Sequence, residues 1–275
     1  HFHDKSILPL DFWYGTNDCK NLIVYAEAGL GDEIINIRFL NELKKRGINA
    51  KWYGHWHLNA KVNKRVGAAD WYRKSGYDVI TDFDVKNYKD YMWTFSQYLP
   101  LLLDLDENEL WTGPYMKAGK KKLKNNKKKN IGIRWGANPF PMHRNFPLKD
   151  LYAVLKDVDA NFYSLQKDLD VEEVKDFPNI IDLNDKLDSF VDTADYINSM
   201  DLIITCPTCI CPAAGALDKE CITIVQISDY YIFNTDNNKT PWYSDKMTLV
   251  RQKTPRVWSD IMDEVRAAVK EKIGI

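Results

Sequence analysis

The sequence predicts an α/β protein of two Rossmann-like halves, each built on a parallel sheet. Three observations point there. Short apolar runs rich in β-formers alternate with stretches whose apolar residues recur at helical spacing, the pattern of βαβ units. That alternation occurs twice, before and after a polar, lysine-rich stretch that reads as a linker. The chain has 275 residues, enough for one large domain or two of about 130 each, with a core that needs no covalent staples.

Asn21–Ala26 (NLIVYA) is apolar and short, a buried strand. After it, Leu30, Ile34, Ile37, Leu40 and Leu43 recur at helical spacing. Asp32 and Glu33 complement the positive end of that helix, and Lys44, Lys45 and Arg46 its negative end. Gly47 stands where a C-terminal cap favours a left-handed residue, so one continuous helix is expected. Asn49–Tyr53 reads as the next strand. Residues 55–116 are less regular: Val79-Ile80 reads as a strand end and Tyr91–Leu103 as a helix around Pro100.

The second series opens with Asn130–Trp135 (NIGIRW), a strand. Lys149–Leu155 follows as a helix with Leu148, Leu151 and Leu155 as its stripe. Asn161–Leu165 and Ile180-Ile181 are strands, and Leu187–Met200 is a helix with Phe190, Ala194 and Ile197 inward. Asp201–Thr205 is a strand, Pro212–Leu217 opens a short helix, Cys221–Ile227 is a strand, and Val257–Lys272 is a last amphipathic helix. The expected division is a first domain over 1–118, a linker over 119–130, a second domain over 131–255, and a terminal helix over 256–275 that packs back towards the first. Ligand is expected in the cleft between the halves.

Apolar residues make up 45% and charged residues 28%, the balance of a soluble globular protein. With 38 basic and 39 acidic side chains the net charge is −1, which excludes a wholly basic nucleic-acid binder and an acidic disordered chain. The total hides an asymmetry. The segment from Lys117 to Lys129 holds eight lysines and no acid, leaving the rest of the chain at −9. A solvated linker explains the run, and so does a basic lip that receives an anionic acceptor. No apolar run reaches the length of a membrane span, and the opening residues lack a leader pattern, so no transmembrane segment is expected. Five cysteines, three crowded at Cys206, Cys209 and Cys211, fit a reducing, cytoplasmic setting.

Three places can carry chemistry. At Gly29-Leu30-Gly31-Asp32, the glycines let the backbone turn tightly after a strand, and Asp32 stands at the cleft rim, where a carboxylate acts as a general base or simply as a helix cap. At Trp135-Gly136-Ala137-Asn138-Pro139, a turn follows a strand at the ligand-binding edge. Arg144, shortly after it, pairs with a phosphate or is an ordinary surface charge. At Thr205–Gly215, small residues open a helix whose backbone N–H groups and Thr208 hydroxyl suit a diphosphate. The cysteine spacing there is a poor zinc pattern, so a small-residue turn explains it and no metal is expected. The D-x-D pairs Asp82/Asp84 and Asp104/Asp106, and His55 and His57 beside Trp56, read as ordinary surface or core residues. G-x-S-x-G, H-E-x-x-H and P-loop patterns are all missing, which weakens hydrolase and NTPase readings.

These pieces occur in a telling order: E-x-G-L-G-D-E-I over Glu27–Ile34 and N-I-G-I-R-W-G-A-N-P over Asn130–Pro139, then R-N-F-P-L over Arg144–Leu148 and F-Y-S-L-Q-K over Phe162–Lys167. The segment Asp192–Thr205, A-G-A-L over Ala214–Leu217, P-W-Y-S over Pro241–Ser244, Arg251-Gln252 and Trp258 complete the order. The set resembles the heptosyltransferase-like glycosyltransferases, family 9 and related domains found behind tetratricopeptide repeats, from Glu27 to the last helix with residues 55–116 unmatched.

The resemblance implies a GT-B fold: two Rossmann-like domains with parallel sheets facing a central cleft, a nucleotide-sugar donor on the second, an acceptor on the first, and no metal or other cofactor. It implies Asp32 as catalytic base, with Gly29 and Gly31 in the acceptor-side loop. Trp135, Gly136, Arg144, Ser164, Gln166, Thr208, Ala213 and Gly215 are implied at the donor. Where the family has D-T-x-x-x-H-L-A-G, this chain has Cys206-Pro207-Thr208-Cys209-Ile210-Cys211-Pro212-Ala213-Ala214-Gly215. The expected function is transfer of a sugar to a saccharide or other small hydroxyl acceptor. Two alternatives stand beside it: a transferase acting on hydroxylated bases of modified DNA, suggested by the lysine run and the aromatics, and a binding module that has lost turnover, suggested by the altered loop.

Overall fold

The computed structural model describes residues 7–16, 18–54, 68–124, 126–137, 143–167, 170–227, 230–233 and 238–274. His55, His57, Asn138 and Pro139 lie outside them. The strands are β1 (Asp11–Phe12), β2 (Asn21–Ala26), β3 (Asn49–Gly54), β4 (Val79–Ile80), β5 (Met92–Phe95), β6 (Lys129–Arg134), β7 (Ala160–Ser164), β8 (Ile180–Asp182), β9 (Leu202–Thr205), β10 (Cys221–Val225) and β11 (Met247–Arg251). The helices are α1 (Leu30–Asn36), α2 (Phe39–Lys45), α3 (Ala69–Lys74), α4 (Leu99–Leu102), α5 (Leu148–Leu155), α6 (Phe190–Ser199), α7 (Ile210–Ala216) and α8 (Met262–Ile273).

The chain forms two compact units. The first holds His1–Leu110, Tyr115–Lys117 and Ser189–Val191; the second holds Trp111–Pro114, Ala118–Asp188 and Asp192–Ile275. Each contains one sheet, and every strand pairing is parallel. The first sheet runs β1-β5-β2-β3-β4 and the second β11-β10-β9-β6-β7-β8. Numbered from its own first βαβ unit, the second has the 3-2-1-4-5-6 order of a Rossmann fold, and the first has 3-2-1-4 with β1 added outside β5. In such sheets ligands bind beyond the carboxyl ends of the strands where the order reverses. Those points are β2/β5 in the first unit and β6/β9 in the second.

In the first unit, Leu22, Ile23 and Val24 are fully buried. One face of its sheet packs Ile23, Ile80 and Trp93 against Phe12, Tyr25, Tyr53 and Phe95. Phe12 and Trp93 meet edge-on at 5.1 Å, a geometry the ring quadrupoles favour. In the second unit, Ile131, Ile133, Ile204 and Ile222 form a core with Leu148, Leu151 and Leu155 of α5 and Val265, Val269 and Ile273 of α8. Each such aliphatic side chain contributes about 1.5–3 kcal/mol by leaving water. The terminal helix, expected to pack back on the first domain, thus spends its apolar stripe on the second unit's own sheet and on α5.

Two further expectations change. The single helix after Gly29 divides into α1 and α2. At the junction the Arg38 side chain takes the Ile35 carbonyl (Nε, 2.7 Å), and the next backbone bonds shorten to i→i+3, Leu40 N–H to Ile37 and Asn41 N–H to Arg38. The guanidinium continues to the Leu110 carbonyl and the Tyr115 hydroxyl, both at 2.9 Å. The helix expected over Tyr91–Leu103 begins instead as strand β5, because Trp93 and Thr94 bury side chains of high β-propensity on opposite faces of the sheet. Helix begins only after β5, as a 3-10 turn over Ser96–Tyr98 that runs into α4, with Pro100 tolerated in the first turn.

The expected linker is a docked segment. Gly119 N–H donates to Asp195 (2.6 Å), Lys121 N–H to Ser199 Oγ (2.6 Å) and Lys124 N–H to the Tyr163 hydroxyl (2.9 Å). Asn198 of α6 donates to the Ala118 and Gly119 carbonyls. The segment thereby belongs to the second unit.

Candidate active site

At the β2/β5 point of the first unit, the chain leaves β2 through Glu27, Ala28 and Gly29 and enters α1. Glu27 closes the point: its carboxylate accepts from Ser96 N–H (3.0 Å), Ser96 Oγ (2.8 Å) and Gln97 N–H (3.0 Å) just past β5. Three such charge-assisted bonds fix where the next turn stands. Gly29 is exposed, Gly31 and Asp32 are half-buried, and Asp32 sits in the first turn of α1. Asn36 donates to the Asp32 carbonyl (2.9 Å), which holds the turn from below.

Glu33, one residue on, points the other way. It is 1% exposed, with Oε2 3.5 Å from Trp52 Nε1. Burial pushes its carboxyl up to about 8, against the Trp52 and Tyr72 donors and aided by the charges of Asp32 and Glu27. Neither Glu27 nor Glu33 stood out in the sequence. A buried acid in an otherwise apolar helix face was the available signal for Glu33.

At the β6/β9 point of the second unit, Arg134 ends β6 in register with Thr205, the last residue of β9. Arg134 Nη1 donates to the Leu165 carbonyl (3.0 Å). Arg144 returns to the same place: both guanidiniums act on the Cys206 thiol, which burial pushes up to about 12 against their pull. Each arginine has a buried Nε with no hydrogen-bond partner among the described residues. Arg134 was missed because it reads as one more residue of the strand NIGIRW.

The loop after β6 is locked from two sides. Gln166 accepts from Gly136 N–H (3.0 Å) and donates to the Gly136 carbonyl (3.3 Å). Asn145 makes the same pair of bonds to Ala137, each at 2.9 Å. A side chain at Gly136 would run into the Asp170 carboxylate and the Gln166 amide, which would have to give up their present places. A cavity of about 470 Å³ opens beside this turn, among Trp135, Phe146, Trp258, Asp170, Glu173 and Arg256.

The implied donor residues therefore fall into two groups. Arg144 and Thr208 reach the edge; Thr208 is half-buried, and its hydroxyl accepts from Ile210 N–H (3.2 Å), opening α7. The rest support it from within. Trp135 is 1% exposed. Gly136 is buried, and Ser164 is fully buried with its hydroxyl taken by Gln166 N–H (3.2 Å). Ala213 is fully buried, and Gly215 is small because the Tyr243 ring lies against it. With Gln166, also fully buried, these six pack against protein, and Trp135 also lines the cavity beside the turn.

The cysteines behave as small apolar residues. Cys206, Cys211 and Cys221 are buried, and Thr223 Oγ1 donates to Cys211 Sγ (3.3 Å). Among the described residues no three His, Cys, Asp or Glu side chains gather as a metal site. Of the D-x-D carboxylates, Asp84 accepts from Lys86 N–H, and Asp106 forms a reciprocal capping box with Glu109. Among the described residues no helix is long and apolar enough to cross a membrane.

Comparison with solved structures finds the same architecture in glycosyltransferases. The E. coli heptosyltransferase WaaC with ADP superposes with a TM-score of 0.62 at 10% identity, over 92% of this chain and 99% of WaaC. A family 9 glycosyl transferase from Veillonella parvula gives 0.59 at 13% identity, over 94% and 99%. The iron-containing dodecameric glycosyltransferase TibC of enterotoxigenic E. coli gives 0.55 at 12%, over 91% of this chain and 66% of TibC. No protein-family model and no curated sequence matches the chain. At these identities the likeness is one of fold.

Proposed function

We propose that this chain is a metal-independent glycosyltransferase of the GT-B arrangement. Its two Rossmann-like units face a cleft, residues 131–255 hold a nucleotide sugar, and residues 1–118 hold a hydroxyl acceptor. The observation that carries the reading is the pair of arginines at the β6/β9 point, whose Nε groups lack acceptors beside the loop that opens α7. A diphosphate supplies acceptors in the geometry a guanidinium fork matches. Solved neighbours of the same fold carry ADP or ADP-D-beta-D-heptose, which fits a nucleoside diphosphate as leaving group. The cavity beside Gly136 has room for part of such a donor.

In this reading Asp32 accepts the proton of the acceptor hydroxyl as that oxygen attacks C1 of the sugar. The bond from C1 to the diphosphate oxygen breaks, and Arg134 and Arg144 meet the charge that grows on the departing group. The guanidiniums supply the positive charge, so the nucleotide sugar is the sole cofactor-like molecule the reaction takes. Buried, unpaired cysteines fit a reducing cytoplasm.

A thermal-shift panel of UDP-, GDP-, ADP- and CMP-linked sugars tests the reading, since stabilisation follows RT ln(1 + [L]/Kd). At least one donor is expected to stabilise the protein, and slow release of its nucleotide is expected to follow. Stabilisation without any release, in the presence of saccharide acceptors, would identify a binding module that keeps the site and not the turnover. No stabilisation by any donor would remove the proposal.

A further inference from the structure

On the second unit, the edge opposite the arginines carries a second concave site. A cavity of about 480 Å³ lies at the amino ends of β6 and β7, beside the end of α5, within the size range of small-ligand sites. Its lining is rich in neutral hydrogen-bonding groups. Asn126 and Asn161 pair amide to amide (2.9 and 3.1 Å), Asn161 also donates to Asn130 (3.0 Å), and Asn179 donates to the Tyr152 hydroxyl (3.2 Å). Lys124, Lys128 and Lys156 stand on its rim. Lys128 pairs with Asp159, whereas Lys124 and Lys156 have no ion pair among the described residues.

The lysine segment leads into this cavity as an ordered row. Its backbone is held through Gly119, Lys121 and Lys124 N–H. Exposure then alternates: Lys120, Lys122 and Lys124 face solvent while Lys121 and Leu123 are half-buried. Lys121 is committed to Asp192 (2.7 Å). That alternation puts Lys120, Lys122 and Lys124 on one exposed side of the segment, with Lys124 at the cavity mouth.

We infer that this row and cavity form a binding site for an acidic saccharide chain, separate from the transfer site. The asparagine amides and the tyrosine hydroxyl take the hydroxyls of one sugar ring, and Lys120, Lys122, Lys124 and Lys156 take carboxylates or phosphates of its neighbours. A nucleic-acid strand fits less well. Its tight binding uses exposed aromatics as stacking platforms, and the exposed aromatics among the described residues, Tyr14 and Tyr231, lie on neither row nor cavity. The choice of a saccharide rests on the transferase reading; the site itself does not.

The test is equilibrium binding of a fluorescently labelled decagalacturonide at 50 and 300 mM NaCl, with a neutral decameric maltodextrin and a ten-residue oligothymidylate as comparators. The wild type is expected to bind the galacturonide at least tenfold more tightly than the maltodextrin. Lys120→Gln/Lys122→Gln/Lys124→Gln is expected to lose at least tenfold in affinity and to flatten the log–log salt slope by about two. Lys156→Gln is expected to lose about threefold. The control Lys44→Gln/Lys74→Gln/Lys270→Gln, with the same charge change on α2, α3 and α8, is expected to bind as wild type. Equal binding of charged and neutral chains, equal losses in the control, or tighter binding of the oligothymidylate would each overturn the inference. Thermal shifts by nucleotide sugars in the same triple variant read the transfer site separately, so failure of one site is distinguishable from failure of the other.

Discussion

The two units share a strand order and a reversal point, yet the carboxyl edges of their sheets carry opposite charge. In the first unit Glu27, Asp32 and Glu33 gather where β2 ends; in the second Arg134 and Arg144 gather where β6 ends. The common architecture fixes where a ligand group can sit, and the charge decides which kind. An acid on a short helix beside an open turn suits proton acceptance, and paired guanidiniums suit an anion. The supports differ as well. The first edge is set by one carboxylate that closes three hydrogen bonds, the second by two amide side chains that each close a pair on a loop.

The contrast can be broken first at the acid. Asp32→Asn keeps the turn and removes the base, so turnover is expected to fall by about 10²–10⁴-fold with nucleotide-sugar stabilisation unchanged, read by single-turnover rates beside thermal shifts. Near-full turnover would strip Asp32 of its role. The arginines come next. Arg144→Gln removes a charged donor from the anion site and is expected to weaken nucleoside diphosphate binding by about tenfold or more, measured by titration calorimetry, with nucleoside binding unaffected.

Glu33 sharpens the contrast within the acidic edge. Its carboxyl titrates near 8 in the folded chain, against 4.5 for the free group. The folded state holds the proton more tightly, so this group's contribution to stability is full below about pH 4.5 and is lost as pH rises to about 8. Glu33→Gln does not ionise. Its unfolding free energy, read by urea titration, is expected to gain on wild type between pH 5 and pH 8 by about 3 kcal/mol. A constant difference across that range would show that Glu33 is ionised in the folded protein. The smallest effect is expected at Thr208→Val, which removes the acceptor for Ile210 N–H at the start of α7 at a cost of about 1 kcal/mol, read as a shift in melting temperature.

Much of this was legible in the sequence. The strands Asn21–Ala26 and Cys221–Val225 and the helix Leu148–Leu155 lie where apolar runs and periodicity place them, because each buries one continuous apolar set. Asp32, Arg144 and Thr208 were singled out because they follow strands or open helices, where α/β folds present ligand groups. What was not legible depends on partners far away in the chain. Arg38 breaks a helix because Leu110 and Tyr115 take its guanidinium. Met92–Phe95 is a strand because β1 and β2 flank it. Gln166 and Gly215 look like ligand residues in a motif, yet one locks Gly136 and the other admits Tyr243. A motif records that a position is constrained, and the tertiary neighbour decides by what.

Arg38 has a mechanical consequence. Through the Ile35 carbonyl it grips the two-turn helix that bears Asp32, and through Leu110 and Tyr115 it grips the stretch by which the chain departs from the first unit. Helix and exit strap are riveted at one guanidinium. One guanidinium thus ties the helix that bears Asp32 directly to this stretch, independently of the sheet.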